Sequence, residues 1–175
     1  MIVVDVNIIL YFLVAGQRTP AARAIFEYDS EWLLPTLLPH EFLNVLVIWY
    51  KQGYLSEHQC LNAWRRGLMM FEGRLIQPDM EAALKLALRH QITAYDAQYV
   101  ELARSRKLSL VTEDGEILRK FPAIARTMTA FLKCPVASRG KLVTQHTTMI
   151  SNSAHNHDNT FVLFEATLFI KTFPA

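Results

Sequence analysis

The chain has 175 residues, 51% of them apolar and 19% charged, with 18 Lys and Arg against 16 Asp and Glu for a formal charge of +2. That length suits one domain with a sizeable core. The apolar share excludes general disorder, and the near balance of charge excludes a protein that binds nucleic acid by sheer basicity.

Residues 2–4 are β-branched and predict a buried strand that ends at Asp5. Thr19-Pro20, an N-cap followed by proline at the first helical position, opens a helix to about Tyr28. Residues 32–34 predict a second strand. Pro39 then opens an apolar helix, residues 41–51, that stops before Gly53. Ser56 with Gln59 makes a capping box and starts a helix to about Phe71. Residues 74–77 predict a third strand, and Pro78 begins a helix over 79–90. Thr93 caps the next helix, residues 94–107. Residues 108–112 predict a strong strand, followed by a turn at Asp114-Gly115, a short helix to Lys120 and a last strand over 126–132. Strands alternating with helices predict an α/β fold with a mostly parallel sheet covered on both faces.

Composition changes after Pro135. Residues 1–135 form the expected domain, whereas 136–175 run through QHTTMISNSAHNHDNT, which reads as linker-like, and then VLFEATLFI, which could add one strand. No membrane segment is expected. Residues 1–15 lack a basic leader and contain Asp5 and Asn7, and the apolar stretch 160–173 is too short and carries Glu165 and Lys171. Cys60 and Cys134 lie far apart without metal-ligand spacing, so neither a disulfide framework nor a zinc site is expected, and a reducing, cytoplasmic setting fits best.

Four acids stand in apolar surroundings, where an ionised carboxylate is costly without a cation or several donors. They are Asp5 in IVVDVNII, Glu41 in LPHEFLNVL, Asp96 in TAYDAQYV and Asp114 in LVTEDG. Asp5 and Asp114 fall at strand carboxyl ends, Glu41 and Asp96 in first turns of helices. In an open α/β sheet these places share one edge, where ligands bind. Four carboxylates converging there would repel one another unless a divalent cation neutralised them, and hard oxygen ligands select magnesium or manganese. Plainer readings exist for each acid alone. Asp96 follows Thr93 at capping-box spacing, Glu41 suits a helix start, and Asp114-Gly115 is an ordinary turn pair. Asp5 is the hardest to explain by local structure. Asn7 can orient Asp5, and Thr112 points to the same side as Asp114 in extended backbone; either could equally be a local turn-former.

These residues carry a resemblance. V-V-D-V-N at the start, P-H-E-F-x-N-V-L around Glu41, Y-D-A-x-Y-V-E-L-A around Asp96 and L-V-T-E-D at Asp114 resemble the PIN-domain ribonucleases, most closely the VapC-type toxins of toxin–antitoxin pairs, over about residues 1–133. The resemblance implies a PIN-like three-layer α/β fold and an endoribonuclease dependent on Mg²⁺ or Mn²⁺. It implies Asp5, Glu41, Asp96 and Asp114 as the catalytic quartet, with Asp5, Asp96 and Asp114 as metal ligands and Asn7 and Thr112 in support. Glu113 and Glu116 flank Asp114 as further acids. It also implies an RNA substrate, a cognate antitoxin and a homodimer. The tail matches nothing in that family.

No histidine is needed by such chemistry: His40 reads as a helix-start residue, and His155 and His157 lie in the linker-like tail. Lys51, Arg18, Arg65, Arg66, Arg104, Arg106 and Lys107 are candidate RNA contacts that a solvated face explains equally well. The helix pair 41–71 carries Phe42, Trp49, Tyr50, Leu61, Trp64, Leu68, Met69 and Phe71, a set that either fills the core or lines a groove for an antitoxin helix and a second copy. Two other classes compete. A receiver-like phosphoryl-transfer domain would want a second acid beside Asp5 and a Lys on a late strand, and both are missing. A catalytically silent PIN-shaped binding module for RNA or protein would keep the fold without the chemistry.

Overall fold

The computed structural model describes residues Met1–Lys133. Five short strands alternate with eight helices: β1 (Ile2–Val4), α1 (Val6–Leu13), α2 (Thr19–Tyr28), β2 (Trp32–Pro35), α3 (Leu38–Lys51), α4 (Glu57–Phe71), β3 (Leu75–Ile76), α5 (Met80–His90), α6 (Ala94–Arg106), β4 (Leu110–Val111), α7 (Gly115–Lys120), β5 (Ala125–Arg126) and α8 (Met128–Lys133). The strands form one sheet in the order β3-β2-β1-β4-β5, every neighbour parallel. With helices on both faces this is the expected three-layer α/β fold.

The order matters more than the count. β1 pairs with β2 on one side (Ile2 with Trp32) and with β4 on the other (Val4 with Val111). The chain therefore leaves β1 in one direction and returns on its far side, which makes β1/β4 the switch point of the sheet. In open α/β sheets the loops diverge at such a point, outside the strand carboxyl ends, and leave a crevice where ligands bind. Parallel strands need both faces covered, and β1 shows it: Ile2, Val3 and Val4 are all buried. On one side of the core Trp32 takes Phe12 and Phe26 edge-on, at centroid distances of 5.5 and 5.1 Å. On another, α4 lies so close to α3 that a Cβ at Gly67 would stand 2.9 Å from Phe42.

Three expectations need correction. Residues Val6–Leu13 form α1, a helix that the sequence reading does not predict. Its side chains are buried nearly all round (Val6, Ile8, Ile9, Leu10 and Leu13), so the run lacks the one-sided period that marks a helix; Asp5 Oδ1 starts it by accepting from Val6 N. Thr19 does not cap α2. It is buried inside the helix start, where its Oγ1 accepts from Gly16 N and donates to the Val14 carbonyl, closing the α1–α2 loop. The expected strand over 126–132 is a strand only at Ala125–Arg126. Thr127 Oγ1 then accepts from Ala130 N and starts α8, which buries Met128 and Phe131 at i, i+3 spacing.

Of the eight large apolar side chains singled out on α3–α4, Phe42 and Phe71 are buried and Trp49 and Trp64 pack against the core, while Tyr50, Leu61, Leu68 and Met69 are exposed. The core reading thus holds for four of the set, and the other four stay on the surface. No helix among the described residues is long and apolar enough to cross a membrane. The expectations for residues 136–175, including a further strand and the histidines His155 and His157, lie outside the described residues.

Candidate active site at the sheet switch point

Parallel pairing brings the ends of β1 and β4 side by side: Asp5 N donates to the Val111 carbonyl at 3.0 Å. Thr112, fully buried, follows at the end of β4 and donates its hydroxyl to Asp5 Oδ2 at 2.5 Å. Asn7, in the first turn of α1, donates Nδ2 to the same oxygen at 2.8 Å and lies 3.3 Å from Thr112 Oγ1. The Thr112 oxygen also accepts from Asp114 N at 3.0 Å. One hydroxyl thereby ties the β1 acid to the loop that carries Asp114. Asn7 meets Asp5 as its spacing suggests, whereas Thr112, expected only on the side of Asp114, reaches Asp5 as well.

Asp114 fills two places at once. Its Oδ1 caps α7, accepting from Glu116 N at 2.8 Å and Ile117 N at 2.9 Å, as a turn residue would. Its charge also acts on Asp5, as does that of Asp96. Asp96 sits in the first turn of α6 with its N–H on the Thr93 hydroxyl at 3.0 Å. Glu41, in the first turn of α3, feels both Asp5 and Asp96, and the Tyr99 hydroxyl donates to its Oε2 at 2.6 Å.

The crowding shows in proton affinity. Burial raises Asp5 to about 7, helped by the charges of Asp96 and Asp114 and opposed by the bonds from Thr112 and Val6. Burial raises Glu41 to about 8, with Asp5 and Asp96 adding to it and the Tyr99 bond opposing. Tyr99 is pushed well above the usual phenol range, first by burial and then by the Glu41 charge. Among the described residues neither Asp5 nor Glu41 takes part in an ion pair. Buried Asp5 and half-buried Glu41, both with raised proton affinity at the edge of an α/β sheet where ligands bind, make this edge the candidate site.

Other sequence candidates are occupied elsewhere. The Glu113 carboxylate accepts from Arg18 at 3.1 Å and from Met128 N at 2.9 Å, joining the α1–α2 loop to the start of α8. Glu116 pairs with Lys120 at 2.9 Å. His40 is exposed. Arg18 lies 5.1 Å over the Tyr11 ring, and Arg66 donates to the Leu13 carbonyl. Arg104, Arg106 and Lys107 lie at or just past the C-terminal end of α6, about 15 Å along the helix from Asp96 at its start. Lys51 likewise ends the helix that Glu41 begins. Tyr99 is the residue that sequence reasoning missed. Its signal was present in Y-D-A-x-Y, where the second tyrosine falls three residues after Asp96 and so on the same helix face.

The donor set suits a hard divalent cation, because its groups are oxygen donors and among the described residues no ion pair reaches Asp5 or Glu41. As they stand, no three His, Cys, Asp or Glu side chains among the described residues are close enough together to hold a metal ion. The chemistry of the set fits the cation; the carboxylates would have to draw closer around it.

Comparison with known proteins agrees with the geometry. A family model for the PIN domain matches residues 2–123. Ribonuclease VapC3 of Pyrobaculum aerophilum is 30% identical over 126 residues, covering 70% of this chain and 96% of that one. Among solved structures, PAE2754 from Pyrobaculum aerophilum superposes with a TM-score of 0.61 at 21% identity, covering 75% of this chain and 92% of that one. A toxin–antitoxin complex from Klebsiella pneumoniae gives 0.52 at 19%, covering 73% and 98%. FitAcB from Neisseria gonorrhoeae gives 0.53 at 20%, covering 73% and 96%. At these identities the structures speak for the fold.

Proposed function

Because this chain belongs to the PIN-domain family, we propose that it is a ribonuclease that hydrolyses RNA phosphodiester bonds with Mg²⁺ or Mn²⁺, acting as the toxin of a toxin–antitoxin pair. The observation that carries the reading is the crowding of Asp5, Glu41 and Asp96 at the β1/β4 crevice, where burial and mutual repulsion raise Asp5 to about 7 and Glu41 to about 8. A stable fold gains nothing from such a group of acids. A site that binds a cation and a phosphodiester needs one.

Asp5, Asp96 and Asp114 would hold the cation. When bound, it would neutralise phosphate charge and lower the pKa of a bound water. The protein's own part begins with Asp5, whose Oδ2 is fixed by Asn7 and Thr112 and whose Oδ1 is fixed by Val6 N. A carboxylate with that many donors keeps one orientation whether or not substrate is present. Glu41 keeps Oε2 on Tyr99, so Oε1 is the atom that would take or return a proton. Glu113 does not belong to this set in our reading, since Arg18 and the start of α8 engage both of its oxygens.

The partners follow the same reading. The substrate is RNA, and the setting is therefore cytoplasmic. The exposed side of the α3–α4 pair, with Leu43, Val47, Tyr50, Leu61, Leu68 and Met69, offers an apolar face for the antitoxin, and a second copy of the chain completes a homodimer. The direct test uses purified protein on single-stranded RNA. Cleavage should require Mg²⁺ or Mn²⁺, stop in EDTA and stop in the Asp5→Asn variant. A folded parent protein that binds RNA but never cuts it, whatever the metal, would support instead a binding module of PIN shape.

A further inference from the structure

Glu41 is held differently from its neighbours at the acidic edge. Asp5 Oδ1 is gripped by the backbone N–H of Val6, and Asp114 Oδ1 by those of Glu116 and Ile117. A carboxylate bonded to backbone goes where its strand end or helix start goes. Glu41 has three rotatable bonds and no backbone donor at its carboxylate. Among the described residues a single hydrogen bond reaches that carboxylate, 2.6 Å from the Tyr99 hydroxyl to Oε2. Freed of it, a glutamate in the first turn of α3 would spread over several rotamers.

Tyr99 is built to prevent that. It is 1% exposed, locked within α6, and three residues beyond Asp96 on the same face of the helix. Its hydroxyl crosses from α6 to α3, so the helix that carries one acid fixes the position of another. Packing alone does not call for the oxygen, because phenylalanine would fill the same space and a buried hydroxyl must find a partner. The partner it has is Glu41.

We propose that Tyr99 is a positioning residue of this site: its hydroxyl holds Glu41 Oε2 so that the carboxylate keeps one place at the acidic edge. The assignment rests on the ribonuclease reading and adds to it a residue outside the acidic quartet.

The test is a cycle of four full-length proteins: the parent, Y99F, E41Q and the double variant, each assayed for kcat and KM on one single-stranded RNA with Mn²⁺. Y99F should lower kcat about tenfold with KM within about twofold, since the tether organises the reacting state and touches no RNA. In the E41Q background the same change should cost almost nothing further. A merely structural role would give losses that multiply, and Y99F cutting at the parent rate would be equally fatal to the proposal. An active parent with multiplying losses overturns the positioning role alone, whereas a folded parent without ribonuclease activity overturns the ribonuclease reading and this role with it. Should Y99F not fold, 3,5-difluorotyrosine at position 99 keeps the ring and hydroxyl while making the O–H a stronger donor. A change in kcat at constant KM then supports the tether, and an unchanged kcat refutes it.

Discussion

Replacing Asp5 by Asn removes one charge from the crevice while keeping nearly the same shape, and its effect on stability should reverse sign with pH. In the folded protein Asp5 rises from 3.8 to about 7, roughly a thousandfold in proton affinity. At about 1.4 kcal/mol per tenfold that is on the order of 4 kcal/mol. Between those two values the folded state binds more protons than the unfolded chain, so stability falls as pH rises from about 4 to about 7 and the loss is complete above it. The asparagine escapes this cost but fits less well. Asp5 Oδ2 accepts from both Asn7 Nδ2 and the Thr112 hydroxyl, and Oδ1 accepts from Val6 N. An amide must place its NH₂ against one of those donor sets, at a cost of about 1–2 kcal/mol. In EDTA, then, Asp5→Asn should be more stable than the parent by about 2 kcal/mol at pH 8 and less stable by about 1 kcal/mol at pH 4. Urea denaturation of both proteins at the two pH values measures it, and a melting curve at pH 8 should move up by about 6 °C. Parent and variant curves separated by the same amount at both pH values would mean that Asp5 bears no buried-charge cost, and the argument for a crowded site would fall with it.

Two further outcomes follow from the same site and surface. Millimolar Mn²⁺ should raise the melting temperature of the parent at pH 8 by several degrees, because only the folded state presents the carboxylates together, and should do far less for Asp5→Asn; equal shifts in the two proteins would place the metal elsewhere. The protein expressed alone should arrest growth, and the product of an adjacent small reading frame should relieve the arrest and co-purify with it. Replacing exposed Met69 and Leu68 on α4 by Ser should weaken that complex by about tenfold or more without loss of RNA cleavage, and an undiminished complex would move the antitoxin to another face.

Much of the fold was legible because local signals and tertiary demands coincide. The capping box at Ser56 and Gln59 forms as its spacing predicts, and Thr93 caps α6 as expected. Residues 6–13 were not legible because a helix buried nearly all round lacks the one-sided period that marks a helix. Residues 128–133 are too few for a period to be read, and the burial of Met128 and Phe131 at i, i+3 spacing decided them as helix. Asp5 was legible for the opposite reason, since an acid inside an apolar run violates the pattern and demands an explanation.

By itself the sequence determined which side chains were out of place and on which kind of element each would stand, because strand ends and helix starts are set by neighbours a few residues away. Only the tertiary structure decided which of them meet. The order β3-β2-β1-β4-β5 puts Thr112 on Asp5, separated by more than a hundred residues along the chain. It brings Tyr99 of α6 to Glu41 of α3, and it leaves Glu113, one residue from Asp114, bonded to Arg18 and Met128 instead. Proton affinity is likewise a property of the assembled crevice: the charges that raise Asp5 and Glu41 come from distant segments of chain, and they act only once packing has removed the water between them.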